Sequence, residues 1–283
     1  PEFRLSATNL EPLEPSFNTA VNPLNILITG ASGCIGHYVV EELLRSTPHH
    51  LYLLLRNPQK LKIENSAPHR VHFIEGNLQN LKSWQDQIPQ MDWAILMATA
   101  WGDPTETYQI NVTKTVALIE QLCQARCQKV FYFSTASILD RANQLLPQAQ
   151  TLGTDYVRTK ALCFQALERS PFAQRVTVFF PTLVFGGDDR KPLSHLTSGM
   201  PEVLSWLWLI RFLQVDASFH FLHAYDIAQV VCAELQRQLS TPMETVPPLE
   251  KVVLGQPALT VQAAIEALCA AKNLPIFFQV PLS

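Results

Sequence analysis

Residues 25–46 read NILITGASGCIGHYVVEELLRS, and this stretch decides the fold. A short apolar run, Asn25 to Thr29, ends on three glycines spaced by three, Gly30, Gly33 and Gly36, and passes directly into a segment with helical periodicity. Strand, glycine turn and helix in that order make a phosphate-binding βα unit, whereas the same glycines without the flanking elements would read as an ordinary turn. Gly30 permits the tight turn, Gly33 lets backbone approach a pyrophosphate, and Gly36 lets the helix pack close on the strand. Free N–H groups and the positive end of the helix dipole then face the phosphates. Ser32, Cys34 and Ile35 complete the loop and join the three glycines as expected cofactor contacts; Cys34 also reads as a small filler.

Outward from this unit the same alternation repeats. Apolar runs at LYLLL (51–55), VHFIEG (71–76), WAILMA (93–98), KVFYFSTA (129–136) and RVTVFFP (175–181) are separated by helical patterns CIGHYVVEELLRS, LKSWQDQI, TYQINVTKTVALIEQLCQ and TDYVRTKALCFQALERS. Continuous apolar strands between amphipathic helices are what a parallel sheet covered on both faces requires. The expected fold is α/β, a doubly wound parallel (Rossmann) sheet over residues 24–185 with a small C-terminal substrate lobe. That lobe takes up most of 186–283, with some segments returning to the main domain. Residues 1–23 read as a surface tail whose opening Pro1-Glu2-Phe3 resembles a cloning scar. The apolar stretch VLSWLWLI (203–210) reads as a buried or pocket-lining helix, with Trp206, Trp208 and Phe212 more in keeping with core than with a substrate pocket.

Composition narrows the function. Glycine is scarce, 10 of 283 residues against 20 prolines, so its clustering is informative. With 47% hydrophobic and 16% charged residues the chain is built for a large core. A net charge of −3 gives no basic excess for a nucleic-acid or anionic-membrane partner, and no apolar run approaches the roughly 20 residues of a membrane span. The expected partner is a small-molecule substrate, with a homodimer left open. Six cysteines without CxxC or histidine pairing argue against a metal site or disulfide scaffold and for a reducing compartment. The cytoplasm is expected; because the chain lacks an initiator Met, an organelle stroma or matrix stays open.

Twenty residues beyond Gly36, after the second apolar run, stands Arg56. An NAD site places an acidic residue there for the ribose 2′-hydroxyl, whereas an arginine suits the 2′-phosphate of NADP. The expected cofactor is therefore NADP, with NAD second. Lys60 and His37 could add positive charge, although Lys60 reads first as a solvated lysine.

These residues resemble the extended branch of the short-chain dehydrogenase/reductase superfamily, the NAD(P)-dependent epimerase/dehydratase family, from about Asn25 onward. Its glycine loop is Thr29 to Gly36, its Gly-Asp-Leu is Gly76-Asn77-Leu78, and its small-residue loop after the fourth strand is Ala98-Thr99-Ala100. The helix start Asn-Val-x-Gly-Thr is Asn111 to Thr115. Ser134-Thr135 comes next, followed by the Tyr-x-x-x-Lys pair Tyr156 and Lys160, then Phe180 to Gly186, and His223 with Asp226. The resemblance implies cofactor contacts from Asn77, Leu78, Ala98, Thr99, Ala100, Tyr156, Lys160 and Pro181. Three departures stand out: Asn77 for an aspartate, Lys114 for a glycine, and Phe180 for an arginine.

A phenol of ordinary pKa near 10 transfers protons poorly at neutral pH unless a cation stabilises its anion. Tyr156 and Lys160 are four apart, so on a helix they share a face. Thr135, which matches the family's catalytic Ser/Thr, would direct its hydroxyl at the substrate oxygen, while Ser134 points the opposite way on a pleated strand. Thr135, Tyr156 and Lys160 are thus the expected catalytic set of an NAD(P)-dependent oxidoreductase. Asn111 reads as a helix-start amide, and Asp155 and Asp226 as helix-terminal residues. Two alternatives remain: a sugar-nucleotide epimerase or dehydratase, and a nucleotide-binding redox-sensing or assembly factor without turnover.

Overall fold

The computed structural model describes residues 22–63, 67–241 and 249–281; most of the expected N-terminal tail, including Pro1-Glu2-Phe3, lies outside them. Strands β1 (Asn25–Thr29), β2 (His50–Leu55), β3 (Val71–Glu75), β4 (Trp93–Leu96), β5 (Lys129–Phe133) and β6 (Val176–Pro181) carry the apolar runs. Short strands β7 (Leu183–Phe185), β8 (Leu213–Gln214), β9 (Ser218–Phe219) and β10 (Phe221–His223) follow. Next come β11 (Glu250–Leu254), β12 (Leu259–Thr260) and β13 (Val280–Pro281). Seven strands form one parallel sheet in the order β11-β6-β5-β4-β1-β2-β3. The chain reverses its direction of winding between β1 and β4, which opens a crevice at their carboxyl ends.

The helices are α1 (Cys34–Ser46), α2 (Pro104–Tyr108), α3 (Thr115–Gln124), α4 (Gln148–Thr151), α5 (Asp155–Glu168), α6 (His195–Ile210), α7 (Ala224–Ser240) and α8 (Val261–Ala271). A π-helical stretch, Gln109–Lys114, joins α2 to α3. Side chains alternate across the sheet. Leu27, Ala94, Val130, Tyr132, Val178 and Phe180 face a core shared with Leu118, Leu122 and Phe164 of α3 and α5. Ile26, Ile28, Ile95, Phe131, Phe133 and Phe179 face one shared with Val39 and Leu43 of α1 and Val231 and Leu235 of α7. Burial on both faces is why these strands lack polar alternation. Phe180, unusual by resemblance to the family, packs edge-on against Phe164 at 5.4 Å.

Two expectations need correction. LKSWQDQI is not an α-helix: Leu81–Ser83 and Gln85–Gln90 form 3₁₀ turns. Pro89 lacks the N–H a continuing helix needs, and short turns still bury Leu81, Trp84 and Ile88. The Trp-rich helix is not core. Leu207 of α6 packs on Ile265 and Cys269 of α8, so its neighbours, each rotated about 100°, point away, and Trp206 and Trp208 are 53% and 58% exposed. Phe212 leaves that group to stack on Phe278 at 4.8 Å. Of residues 276–280 only Val280 enters a strand, β13 beside β8. Among the described residues no helix is long and apolar enough to cross a membrane, and no cluster of His, Cys, Asp and Glu could hold a metal.

Candidate active site

A cleft of about 1160 Å³ runs along the carboxyl ends of β1 to β4. Gly30 (φ 77°) makes the turn after β1, and a Cβ there would lie 2.6 Å from the Ala98 amide nitrogen. Gly36 is packed harder still: a Cβ would meet the Gly30 carbonyl oxygen at 2.2 Å. Loop and β4 are also stitched by Met97 N–H to the Thr29 carbonyl (3.1 Å) and Ala98 N–H to Thr29 Oγ1 (3.2 Å). Of the expected cofactor residues, Gly30, Ser32, Gly33, Arg56, Asn77, Leu78, Ala98, Thr99 and Ala100 line the cleft, whereas Cys34, Ile35, Gly36, Tyr156, Lys160 and Pro181 do not.

The lining fits a dinucleotide. α1 starts at Gly33 without a side-chain cap, leaving its first-turn N–H groups for an outside acceptor. Gly33 is exposed, so backbone is accessible there. Asn77 Oδ1 accepts from Asn80 N–H at 2.9 Å, which leaves its amide hydrogens to donate to a base. Arg56, Lys60 and Lys62 line the same end of the cleft, at the end of β2 and just beyond it. His37 does not join these cations. It is buried against Gly33, its Nδ1 2.9 Å from the Gly33 carbonyl and its Nε2 accepting from Lys62 N–H at 3.2 Å. Burial holds its pKa below the usual value, so it serves as a neutral brace for the glycine loop.

On the other side, residues 189–192 of the segment after β7 close over the cleft. Lys191 ties this segment to α1: its Nζ lies 3.1 Å from Glu41, 3.4 Å from Asp188 and 5.0 Å from the Tyr38 ring centroid. Gly187 N–H donates to Tyr38 Oη at 3.2 Å. Cys34 is wedged beneath, and burial, with Asp188 adding to it, pushes its thiol up to about 11; it is a filler rather than a nucleophile.

Thr135, Tyr156 and Lys160 come together beside the cleft. Thr135, two residues beyond β5, caps the turn Ala136–Ile138, accepting from Ser137 N–H at 3.3 Å. Ser134 Oγ is buried without a hydrogen-bond partner. Thr154 caps α5, which places Tyr156 and Lys160 one turn apart, with Asp155 paired to Arg158 at 2.9 Å. Lys160 Nζ donates to the Phe133 carbonyl at 2.8 Å and stands 5.8 Å from the Tyr156 ring centroid. Burial lowers its pKa to about 8. The Tyr156 phenol is pushed up to about 12 by burial, with a hydrogen bond from Thr135 acting against it.

Asn111 is a structural amide, though inside the π-helical stretch rather than at a helix start. Its Oδ1 accepts from Thr99 Oγ1 (3.0 Å) and Ala100 N–H (2.8 Å), and its Nδ2 donates to the Ala100 carbonyl and Thr159 Oγ1 (both 3.1 Å). This side chain therefore ties the loop after β4 to the helix that carries Tyr156 and Lys160. Sequence reasoning missed Trp101, whose indole lies flat on Tyr156 with ring centroids 3.7 Å apart and planes 11° apart. It also missed Lys62 and residues 189–192. A loop aromatic before Gly102 was the available signal for Trp101; the other residues lie in irregular segments without a pattern.

A family model described as the NAD dependent epimerase/dehydratase family matches residues 26–245. Among curated proteins, the decarboxylating sterol-4-alpha-carboxylate 3-dehydrogenase of Candida albicans is 25% identical over 183 residues, 59% of this chain and 52% of that protein. The chain thus spans about half the length of that curated relative. Among solved structures, the UDP-N-acetylglucosamine 4-epimerase of Methanobrevibacter ruminantium, in complex with UDP-N-acetylmuramic acid, matches with a TM-score of 0.65 at 17% identity. That match covers 93% of this chain and 86% of that one. The dTDP-glucose 4,6-dehydratase of Streptomyces venezuelae, bound to NAD, matches with a TM-score of 0.66 at 16% identity, covering 92% and 85%. At such identities the structural likeness is one of fold.

Proposed function

The chain belongs to the NAD dependent epimerase/dehydratase family, and from that premise we propose that it is an NADP-dependent oxidoreductase. In this reading hydride passes between nicotinamide and a carbonyl or hydroxyl carbon of a small substrate, and Tyr156 exchanges the proton. The observation that carries the reading is the meeting of Thr135, Tyr156 and Lys160 beside a cleft whose far end holds Arg56, Lys60 and Lys62.

NADP, when bound, supplies the hydride donor or acceptor. The glycine loop and the start of α1 would receive its pyrophosphate, Asn77 its adenine, and Arg56 its 2′-phosphate, with Lys60 and Lys62 adding positive potential. Thr135 orients the substrate oxygen and shares a hydrogen bond with the phenol. Tyr156 gives its proton to a developing alkoxide or takes one from an alcohol. Lys160, fixed by the Phe133 carbonyl, puts positive charge near the phenol and favours its anion. All six cysteines are free, which fits a reducing compartment; we place the protein in the cytoplasm or an organelle stroma.

Titrating NADPH and NADH against intrinsic tryptophan fluorescence tests the cofactor. Arg56→Ala should weaken NADPH by about 10- to 100-fold, the worth of a charge-assisted hydrogen bond, and leave NADH unchanged; equal effects on both would refute the assignment. Following NADPH oxidation over a panel of carbonyl compounds tests the chemistry. Tyr156→Phe should lose on the order of 10² or more of the turnover while holding NADPH as tightly as before, and retained turnover would reject Tyr156.

A further inference from the structure

Trp101 lines the nucleotide cleft, whereas Thr135, Tyr156 and Lys160 do not. The indole is what stands between. One face lies on the Tyr156 ring at 3.7 Å, and the imidazole of His195, the first residue of α6, meets the indole at 5.1 Å and a tilt of 51°. The indole thus lies against both Tyr156 and His195, and the slot beside the Tyr156 ring is filled by a side chain of the protein itself.

The occupant is built to leave. Trp101 is 52% exposed, so little packing beyond the slot holds it. On its N-terminal side the backbone is pinned, because Asn111 grips both the N–H and the carbonyl of Ala100. On its C-terminal side comes Gly102, at φ 107° with nothing within 4 Å of a built Cβ. A fixed anchor before the indole and a glycine in open space after it allow the side chain to swing without disturbing β4 or α5.

We propose that Trp101 is the specificity-determining residue of the substrate site, a partition that a substrate must replace to reach Tyr156. The proposal rests on the reading of Tyr156 as the proton-transfer group. A molecule that displaces the indole forfeits its stack on Tyr156 and offsets that loss only by laying a ring face of its own against the phenol ring. The selected chemistry is therefore a ring ketone or ring alcohol, whether the ring belongs to an apolar polycycle or to a sugar. Acyclic carbonyl compounds leave the slot unfilled and are disfavoured.

Nitration with tetranitromethane, located by peptide mass spectrometry in the full chain, reads the exposure of Tyr156 without any turnover. Tyr156 should be nitrated about tenfold faster in Trp101→Ala than in the wild type, and at nearly the wild-type rate in Trp101→Phe, which keeps a ring in the slot. NADPH-dependent reduction of 3-pentanone, cyclohexanone, a steroid ketone and a nucleotide-linked ketohexose reads selection. Trp101→Ala should raise kcat/KM for 3-pentanone relative to the ring ketones by about tenfold, with Trp101→Phe restoring the preference; the last two compounds tell an apolar from a sugar ring. Equal nitration of Tyr156 in all three chains, or an unchanged ring preference in Trp101→Ala, overturns the partition. Unmasking of Tyr156 with no reduction of any ketone by any of the chains, NADPH still binding, overturns the reading of Tyr156 and the proposal with it.

Discussion

Replacing Asn111 by Ala removes four hydrogen bonds from a side chain that is 1% exposed. Thr99 is exposed and recovers water, so its bond costs little. The Ala100 N–H, the Ala100 carbonyl and Thr159 Oγ1 each lose a partner, although the Thr159 hydroxyl still donates to the Tyr156 carbonyl at 3.0 Å. At about 1 kcal/mol per bond the loss is about 3 kcal/mol. In a domain of this size each kcal/mol moves the melting temperature by roughly 2–4 °C, so calorimetry should record a fall of about 6–12 °C. Asn111→Asp separates hydrogen bonding from packing. The carboxylate keeps both accepting bonds but sets negative charge against the Ala100 carbonyl where the amide donated, which raises its folded-state pKa above the unfolded value near 3.9. Its penalty must then grow as pH rises through that folded value and shrink on acidification, while the penalty of Asn111→Ala stays flat over the same range. A fall below about 2 °C for Asn111→Ala, or an Asp variant indistinguishable from the parent at every pH, would refute the role given to this amide.

Gly36→Ala sets a Cβ 2.2 Å from the Gly30 carbonyl, where only backbone could yield; urea denaturation should show a loss of about 3 kcal/mol, whereas Gly199→Ala, in α6 with nothing within 4 Å, should gain roughly 0.5–1 kcal/mol. A neutral Gly36→Ala would contradict the packing. His49 is buried and accepts from Leu24 N–H at 3.2 Å, and burial, aided by Arg70, lowers its pKa to about 4. The unfolded chain binds a proton near pH 6.5 that the folded chain refuses until about 4, so stability falls as pH drops across that window, by on the order of 3 kcal/mol from this group. His49→Gln should flatten the pH dependence of the urea midpoint between pH 7 and 4; an unaltered slope would assign the acid sensitivity elsewhere.

What the sequence made legible was whatever depends on local order. The strands were readable because burial on both faces demands unbroken apolar runs, and the glycine loop because sterics at Gly30 and Gly36 admit no other residue. Tyr156 and Lys160 were readable because their place in the order of motifs resembles the family's and helical geometry sets positions four apart on one face. Direction and partner were not. Helical spacing could not tell that Leu207 would take the buried side of α6 and leave Trp206 and Trp208 outside, nor that His37 would turn back onto Gly33. LKSWQDQI has a spacing of apolar residues that suits 3₁₀ turns as well as an α-helix, and Pro89 settles the matter only through hydrogen bonding. Trp101 sits in a loop where no period applies, so its place on Tyr156 emerges only when β4, α5 and α6 are assembled.

The seventh strand of the sheet bears on how the chain is made. β11 pairs with β6 through partners such as Glu250 and Thr177, 73 residues apart, and until it arrives β6 is an edge whose every residue is destined for burial. At roughly 5–20 residues per second a ribosome needs on the order of 4–15 seconds to supply it. During that interval the nascent nucleotide half carries an open, apolar strand edge of the kind that recruits other chains. A C-terminal truncation between residues 193 and 249 would make that transient permanent, so such fragments should accumulate as aggregates even though every residue that lines the cleft has already been synthesised.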